Sequence, residues 1–312
     1  MSKLVVALLS GGISSERDVS LESGKQVYKG LDKNKYDVRL YDPATDLEKL
    51  VADAPQIDVA FIALHGPYGE DGTVQGLLDL LHIPYQGSGV LASALAMDKL
   101  TSKRLYKEAG LPVPPFKIVK RGQAYHPEAF AALPGYPLVV KPRYGGSSIG
   151  TTLVQKPQNL SEAIDRAFEY GTDVILEAYL EGRELTGAVL GNVELQLLPL
   201  VEIIPKGGHA FFEYEAKYTK GATEEICPAP ISETLSSQAQ LSAATAHRAL
   251  CCRGYSRTDM IICNGTIYVL ETNTIPGMTP ASLFPLSAKT AGISFSQLLD
   301  RLIELALEGK SA

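Results

Sequence analysis

Residues Tyr255 to Met278 read Tyr-Ser-Arg-Thr-Asp-Met-Ile-Ile-Cys-Asn-Gly-Thr-Ile-Tyr-Val-Leu-Glu-Thr-Asn-Thr-Ile-Pro-Gly-Met. Two apolar runs flank Asn264-Gly265, a strong hairpin signal. Side chains alternate along a strand, so Arg257 and Asp259 share one face of the first strand, and Glu271 and Asn273 share one face of the second. A two-residue loop at Asn264-Gly265 pairs Cys263 with Thr266, sets Asp259 opposite Leu270 and sends Glu271 to the other side of the sheet. A three-residue loop from Cys263 to Gly265, with Gly265 in the left-handed position of a bulge, brings all four polar residues to one face. One shared face therefore requires an odd loop or a bulge. Two carboxylates and an amide oxygen there make a hard-oxygen site suited to magnesium that also bridges the phosphates of a nucleotide. Arg257 is then available to anionic oxygens, and the Pro276-Gly277 turn offers backbone N–H groups to a ligand.

The chain of 312 residues is long for one core, which points to two or three subdomains. A hydrophobic share of 45% and a charged share of 21% are those of an ordinary soluble globular protein rather than a disordered one. The net charge of −6 argues against nucleic acid as the main partner, which would need a basic face. The early apolar run Leu4 to Leu9 is too short for a signal sequence and leads into Gly11-Gly12, so it reads as a buried first strand. No stretch is long and apolar enough to span a membrane. Cys227, Cys251, Cys252 and Cys263 lack Cys-x-x-Cys spacing, and the adjacent pair lies in a helical pattern. They read as reduced, buried thiols of a cytoplasmic protein.

The first hundred residues alternate strand and helix: Leu4 to Leu9, Ser20 to Leu31, Tyr36 to Tyr41, Val59 to Leu64 and Thr73 to Leu81. That order implies a small parallel sheet with helices on both faces and ligand loops at the carboxyl ends of its strands. The loops there, 10–20 and 65–73, are rich in glycine and charge, although Gly11-Gly12 lacks a Gly-x-Gly-x-x-Gly fingerprint. A turn at Gln86 feeds an alanine-rich helix toward Lys99, and Pro112, Pro114 and Pro115 mark a boundary near Met97 to Pro115. Leu138 to Pro142 is a buried strand carrying Lys141. The loop Arg143 to Gly150 that follows lets backbone donors approach polyphosphate closely without being a Walker loop. Val174 to Glu184 reads as strand, connector and strand. Pro205 to Pro230 has no periodicity and reads as a long functional loop, a lid that excludes water. A helix from Glu233 to Leu250 leads back to the hairpin, and Thr279 to Leu283 opens another. Free N–H groups at that start suit a carboxylate, a role compatible with Ser282 as an ordinary cap.

From Val5 to Leu307 this order of motifs resembles the D-alanine:D-alanine ligases of the ATP-grasp superfamily. The likeness is carried by Ser-Ser-Glu-Arg-Asp-Val-Ser at 14–20, Leu-His-Gly and Gly-Glu-Asp-Gly-Thr at 64–73, Met-Asp-Lys at 97–99 and Lys-Pro with Gly-Ser-Ser-x-Gly at 141–150. Phe-Phe-Glu-Tyr-Glu-Ala-Lys-Tyr at 211–218, Arg-Thr-Asp at 257–259 and Glu-Thr-Asn-Thr-Ile-Pro-Gly-Met-Thr at 271–279 complete it. The resemblance implies an α/β and α+β, ATP-grasp architecture: an N-terminal parallel-sheet domain at 1–98, then two α+β subdomains at 99–184 and 185–312 that clasp the nucleotide.

It also implies roles. Glu16, with His65 beside it, would bind the ammonium of a first D-alanine, and Ser282 and Leu283 would hold the carboxylate of a second. Lys99, Lys141, Ser148 and Lys217 would meet the phosphates. Glu177 and the backbone of Tyr179 and Leu180 would meet adenine, Glu184 the ribose, with Phe211 and Leu270 also at the nucleotide. Asp259, Glu271 and Asn273 would hold two Mg2+, with Mn2+ as an alternative. Arg257 and the Gly277 N–H would stabilise an oxyanion, and Glu16, Ser147 and Tyr218 would form a hydrogen-bonded chain closing the lid. The implied reaction is ATP-dependent synthesis of D-alanyl-D-alanine for peptidoglycan through an acylphosphate, in a cytoplasmic homodimer. Tyr218 implies an amine rather than a hydroxyl nucleophile. Tyr144, Gly145 and Ala178 depart from what relatives commonly carry. The alternatives are another ATP-grasp carboxylate-amine or carboxylate-hydroxyl ligase, and a regulatory nucleotide-binding protein with a degenerate site.

Overall fold

The computed structural model describes residues 3–123, 135–146, 148–206, 223–279 and 282–308. Its first strand, β1 (Leu4–Leu9), lies at the centre of a three-stranded parallel sheet between β2 (Tyr36–Tyr41) and β3 (Val59–Ile62). Period-two alternation divides β1 between two cores. Val6 and Leu8 pack with Phe284, Leu298, Leu302 and Ile303, whereas Ala7 and Leu9 pack with Leu50, Val74 and Leu78. The helix α1 (Arg17–Gly30) starts before the expected Ser20, α2 (Leu47–Asp53) was not legible, and α3 spans Thr73–Leu80. One face of the N-terminal sheet is thus covered from the far end of the chain.

After α4 (Val90–Met97) and α5 (Lys99–Glu108) comes a four-stranded antiparallel sheet. Its order is β4 (Phe116–Lys120), β7 (Asp173–Ala178), β5 (Leu138–Pro142), β6 (Thr152–Val154). Helix α6 (Leu160–Phe168) covers it with Leu160, Ala163, Ile164, Ala167 and Phe168, the single stripe of an amphipathic helix.

A six-stranded sheet follows: β11 (Thr223–Ile226), β10 (Val201–Pro205), β8 (Arg183–Leu190), β12 (Tyr255–Cys263) and β13 (Thr266–Asn273), with β9 (Gln196–Leu197) on β8. Helix α7 (Glu233–Ala249), capped by Ser232 through the Leu235 N–H, backs it with Ala239, Ala243 and Ala246. The chain ends in α8 (Leu283–Thr290) and α9 (Phe295–Leu307). Among the described residues no helix is long and apolar enough to cross a membrane.

Two expectations need correction. The segment 205–230 is not loop throughout, because Thr223–Ile226 pairs with β10; residues 207–222 lie outside the described set. The cysteines are free thiols, but none is fully buried: Cys251 is exposed, and it and Cys252 lie past the end of α7.

The hairpin departs from both loop geometries in an instructive way. Cys263 pairs with Thr266, so the turn is the two-residue one, with Asn264 and Gly265 at φ 49° and 77° as a twist-matched type I′ turn requires. The three-residue loop is not formed. The ladder instead slips between Asp259 and Met260, passing over Leu270, so that Asp259 faces Glu271 and Arg257 faces Asn273. The strand bulge supplies the parity change. A seam ties this hairpin to the first sheet: the Arg253 guanidinium donates to the Gly87 and Tyr85 carbonyls at 3.0 Å each. Gln86 brackets the Ile62 backbone and donates to the Tyr255 hydroxyl at 3.3 Å. A methyl group at Gly265 would meet nothing within 4 Å, so Gly265→Ala carries only the left-handed backbone penalty. Denaturant unfolding should show a loss of about 1 kcal/mol; no loss would rule out the positive-φ turn.

Candidate active site

The polar face of the hairpin forms one wall of a cleft, and the central sheet with its glycine-rich loop forms the other. Asp259 is buried and accepts from Arg257 Nε and Nη2 at 2.9 Å each and from Thr186 Oγ1 at 2.8 Å. Glu271 sits 3.1 Å from Lys99 Nζ, and Asn273 Oδ1 accepts from the Ile275 N–H at 2.9 Å. Among the described residues no trio of His, Cys, Asp or Glu could hold a metal. Two carboxylates and an amide oxygen on one face nevertheless fit a hard divalent cation that completes its shell with ligand and water oxygens. Behind the same strands Tyr106 donates to Thr272 Oγ1 at 2.8 Å, and Thr272 lies 3.0 Å from Thr258 Oγ1. This buried hydroxyl chain fixes the backbone between the site residues.

Facing the hairpin, Lys99, Lys141, Ser148, Glu177, Tyr179 and Leu180 line the cleft, and Glu184 on β8 and Leu270 line it from the hairpin's own sheet. Glu177 is buried, with its Oε2 at 2.8 Å from Lys103 Nζ and 3.1 Å from Lys141 Nζ. Burial raises its pKa, yet the two ammoniums outweigh burial and hold the carboxyl below its usual range. Burial pulls Lys103 down to about 8 against the attraction of Glu177. Lys103 was missed in the sequence; the available signal was its place one turn after Lys99, on the same side of α5.

The phosphate-loop side is tied to the start of α5. Asp98 caps that helix through the Leu100 and Thr101 N–H groups at 3.1 and 3.2 Å. Arg143 grips Asp98 through Nε at 2.8 Å and Nη2 at 2.5 Å, and reaches Asp173 with Nη1 at 2.7 Å. Hydrogen bonding to Asp98 raises the Arg143 pKa despite burial. The Lys99 N–H donates to the Arg143 carbonyl at 3.1 Å, and Lys99 Nζ donates to the Gly145 carbonyl at 2.5 Å. Gly145 stands at φ 110°, which explains a glycine there.

At the far end the N-terminal loops converge. Glu16 is buried, and a Cβ at Gly66 would lie 2.8 Å from its Oε1, one at Gly146 3.4 Å. Ser14 links the loops by donating to the His65 carbonyl at 2.6 Å and accepting from the Glu16 N–H at 3.2 Å. His65 is held between Glu70 and Ser23, 3.2 and 3.1 Å from its ring nitrogens. Arg17 pins Gly12 and Asp42 at 2.7 Å each. Gly277 approaches Ser282 so closely that a Cβ would lie 2.9 Å from the serine Oγ. Ser282 occupies the cap position of α8 without capping it; its hydroxyl meets the Thr279 N–H and Oγ1 at 3.1 and 2.9 Å. Leu283 is buried with Val201 and Ile203, so only its backbone is open to a ligand role. Ser147, Phe211, Lys217 and Tyr218 lie outside the described residues.

The family described as D-ala D-ala ligase C-terminus matches residues 105–304, and D-ala D-ala ligase N-terminus matches residues 44–88. The chain belongs to the D-alanine–D-alanine ligase family. A family member of that name from Syntrophobacter fumaroxidans is 58% identical, covering 98% of both chains, and one from Desulfotalea psychrophila is 54% identical, covering 98% and 96%. Among solved members, the Bacillus anthracis ligase complexed with ATP has a TM-score of 0.86 at 36% identity, covering 98% of each chain. The VanG D-Ala:D-Ser ligase of Enterococcus faecalis has a TM-score of 0.83 at 35% identity, covering 98% of this chain and all of its own. These neighbours place the chain in the ATP-grasp fold expected from its motifs.

The Arg143 clamp is open to test by unfolding. Arg143→Ala should cost about 2 kcal/mol or more by leaving two largely buried carboxylates without their shared cation. Arg143→Lys should recover only part of this, because an ammonium cannot grip one carboxylate with a planar fork while reaching another. Full stability in the lysine variant would show that point charge alone suffices.

Proposed function

We propose that this chain joins two D-alanines to D-alanyl-D-alanine at the cost of ATP, supplying a peptide for peptidoglycan. The observation that carries this reading is the meeting, in one cleft, of Lys99 and Lys141, a glycine-rich loop, an oxygen-donor pair and Glu16 beside that loop. A carboxylate resists attack by an amine until one of its oxygens becomes a leaving group. Phosphoryl transfer from ATP to the first D-alanine gives an acylphosphate, and the second amine then displaces phosphate.

The roles we assign extend the family resemblance to the residues that line the cleft. The base lies against Glu177, Tyr179 and Leu180, with Glu184 toward the ribose. Lys99 and Lys141 take the phosphates, joined by Ser148 and by Lys217 from the segment outside the described residues. Asp259, Glu271 and Asn273 would hold Mg2+ or Mn2+, two ions in all, which supply charge neutralisation at the phosphates. Glu16 and His65 would orient the first ammonium, and Ser147 and Tyr218, which lie outside the described residues, would join Glu16 in a hydrogen-bonded chain that closes the lid. Arg257 and the Gly277 N–H stabilise the oxyanion when the amine attacks, and the backbone at Ser282 and Leu283 receives the second carboxylate. We further propose a division into units at about residues 98 and 184, a homodimer, and a cytoplasmic setting. Relatives that are D-alanine–D-alanine ligases, one of them solved in complex with ATP, support ATP and the D-alanine chemistry.

Product analysis with ATP and D-alanine tests the reading: ADP, phosphate and the dipeptide should form together, and ATP turnover indifferent to D-alanine would refute it. Glu271→Gln should raise the magnesium needed for half-maximal turnover without unfolding the chain; an unchanged magnesium titration would remove Glu271 from the metal set. Gly66→Ala should lower turnover about 100-fold by displacing Glu16, since small misplacements of positioning groups carry costs of that order. Wild-type kinetics in that variant would mean Glu16 is not held where the first ammonium binds.

A further inference from the structure

Among the described residues Lys103 is the most deeply buried cation of the site, with no exposed surface, and it does not line the cleft. It therefore acts through another residue. Its ammonium and that of Lys141 both approach the same atom, Glu177 Oε2, at 2.8 and 3.1 Å. Lys103 Nζ also lies 3.5 Å from the carbonyl of Leu270, the residue that the hairpin ladder passes over. Lys141 differs from Lys103 in that it lines the cleft and is partly exposed.

Two ammoniums on one carboxylate carry one positive charge in excess. A buried carboxylate that loses every cation is costly, whereas one that keeps a single cation remains compensated. The cluster can thus give up one lysine to an anion, and only Lys141 borders the cleft. Resting on the nucleotide reading above, we infer that Lys103 is the permanent counter-ion of Glu177. It frees Lys141 for phosphate and keeps Glu177 a pure acceptor, making Lys103 a positioning residue that sets base specificity. An ionised carboxylate only accepts, so it takes the 6-amino group of adenine and repels the 6-oxo group of hypoxanthine. Without Lys103, Glu177 must hold Lys141 or take up a proton. The first weakens the phosphate contact; the second gives the carboxyl a donor that suits a 6-oxo base.

The test compares the full-length wild type with Lys103→Met, and with Lys103→Met combined with Glu177→Gln. Each is assayed for kcat, KM and equilibrium affinity toward ATP and inosine triphosphate at saturating D-alanine. Lys103→Met should raise the KM for ATP about tenfold with a smaller change in kcat, and lower the preference for ATP over the inosine nucleotide about tenfold, as the exchange of an acceptor for a donor implies. In the double variant Glu177→Gln abolishes the need for a counter-ion, so the KM for ATP should return toward wild type while the preference for ATP stays low. A single variant with wild-type KM and preference overturns the inference. So does one that loses kcat alone with unchanged preference, the result of a merely structural role. If the single variant does not fold, the double variant decides: folded with low ATP preference it supports the inference, and unfolded or fully selective it overturns it. A wild type that binds ATP but makes no dipeptide would sink the ligase reading alone, because the two nucleotide affinities still report on Lys103.

Discussion

Asp259 and Glu271 face one another because one residue of the hairpin is left out of the ladder. The Asn264-Gly265 turn pairs Cys263 with Thr266, and an unbroken ladder from there would send the two carboxylates to opposite sides of the sheet. The bulge at Leu270 shifts the rest of β13 by one residue, so Glu271 and Asn273 join Asp259 and Arg257 on the cleft face. The same shift turns Thr272 and Thr258 to the opposite face, where they share a buried hydroxyl chain with Tyr106. The strands are therefore fixed from behind at the level where they carry the site.

Charge compensation is the second constraint, and it explains the partners within the cleft. Arg257 rests on Asp259, Lys99 on Glu271, and Lys141 on Glu177. Each carboxylate is at least partly buried and would be costly unpaired. A polyphosphate entering the cleft competes for these same cations. The carboxylates it releases must then find other positive charge, for which Asp259 and Glu271 have the chemistry to bind a hard cation and Glu177 has Lys103. A site arranged this way keeps its charges balanced with and without an anion.

Strand and helix order was legible wherever a face is buried. Leu4–Leu9 and Tyr36–Tyr41 match their sequence reading residue for residue, because both alternate or run apolar between clear turn signals. Helix Leu47–Asp53 escaped because it contributes only Leu50 as a fully buried side chain, too little for a periodic pattern. The coplanarity of the carboxylates was legible as a parity requirement, but its cause was not. A bulge at Leu270 depends on what lies beneath the strand, including Lys103 and Tyr106 more than 160 residues earlier in the chain. The ion pairs of Lys103, Arg143 and Asp98 were not legible for the same reason: their partners are brought together only by the packing of separate elements. Glu177 in isolation reads as an exposed strand charge, and only the two lysines packed around it permit its burial.

The scaffold does not by itself choose the second substrate. This chain resembles a D-alanine–D-alanine ligase and a D-Ala:D-Ser ligase almost equally, with TM-scores of 0.86 and 0.83 and identities of 36% and 35%. D-alanine and D-serine share an ammonium and a carboxylate, so a carboxylate contact such as the one proposed for Ser282 and Leu283 cannot tell them apart. They differ only by a hydroxyl on the methyl carbon. A pocket shaped for the methyl group rejects the added hydroxyl by only about 100-fold, whereas a pocket built to hydrogen-bond that hydroxyl rejects the methyl far more strongly, because its own polar groups are then left unpaired. Selectivity for D-alanine in a chain of this fold is therefore the weaker kind, and it rests on the side chains lining the second subsite rather than on the strands and loops that position the nucleotide.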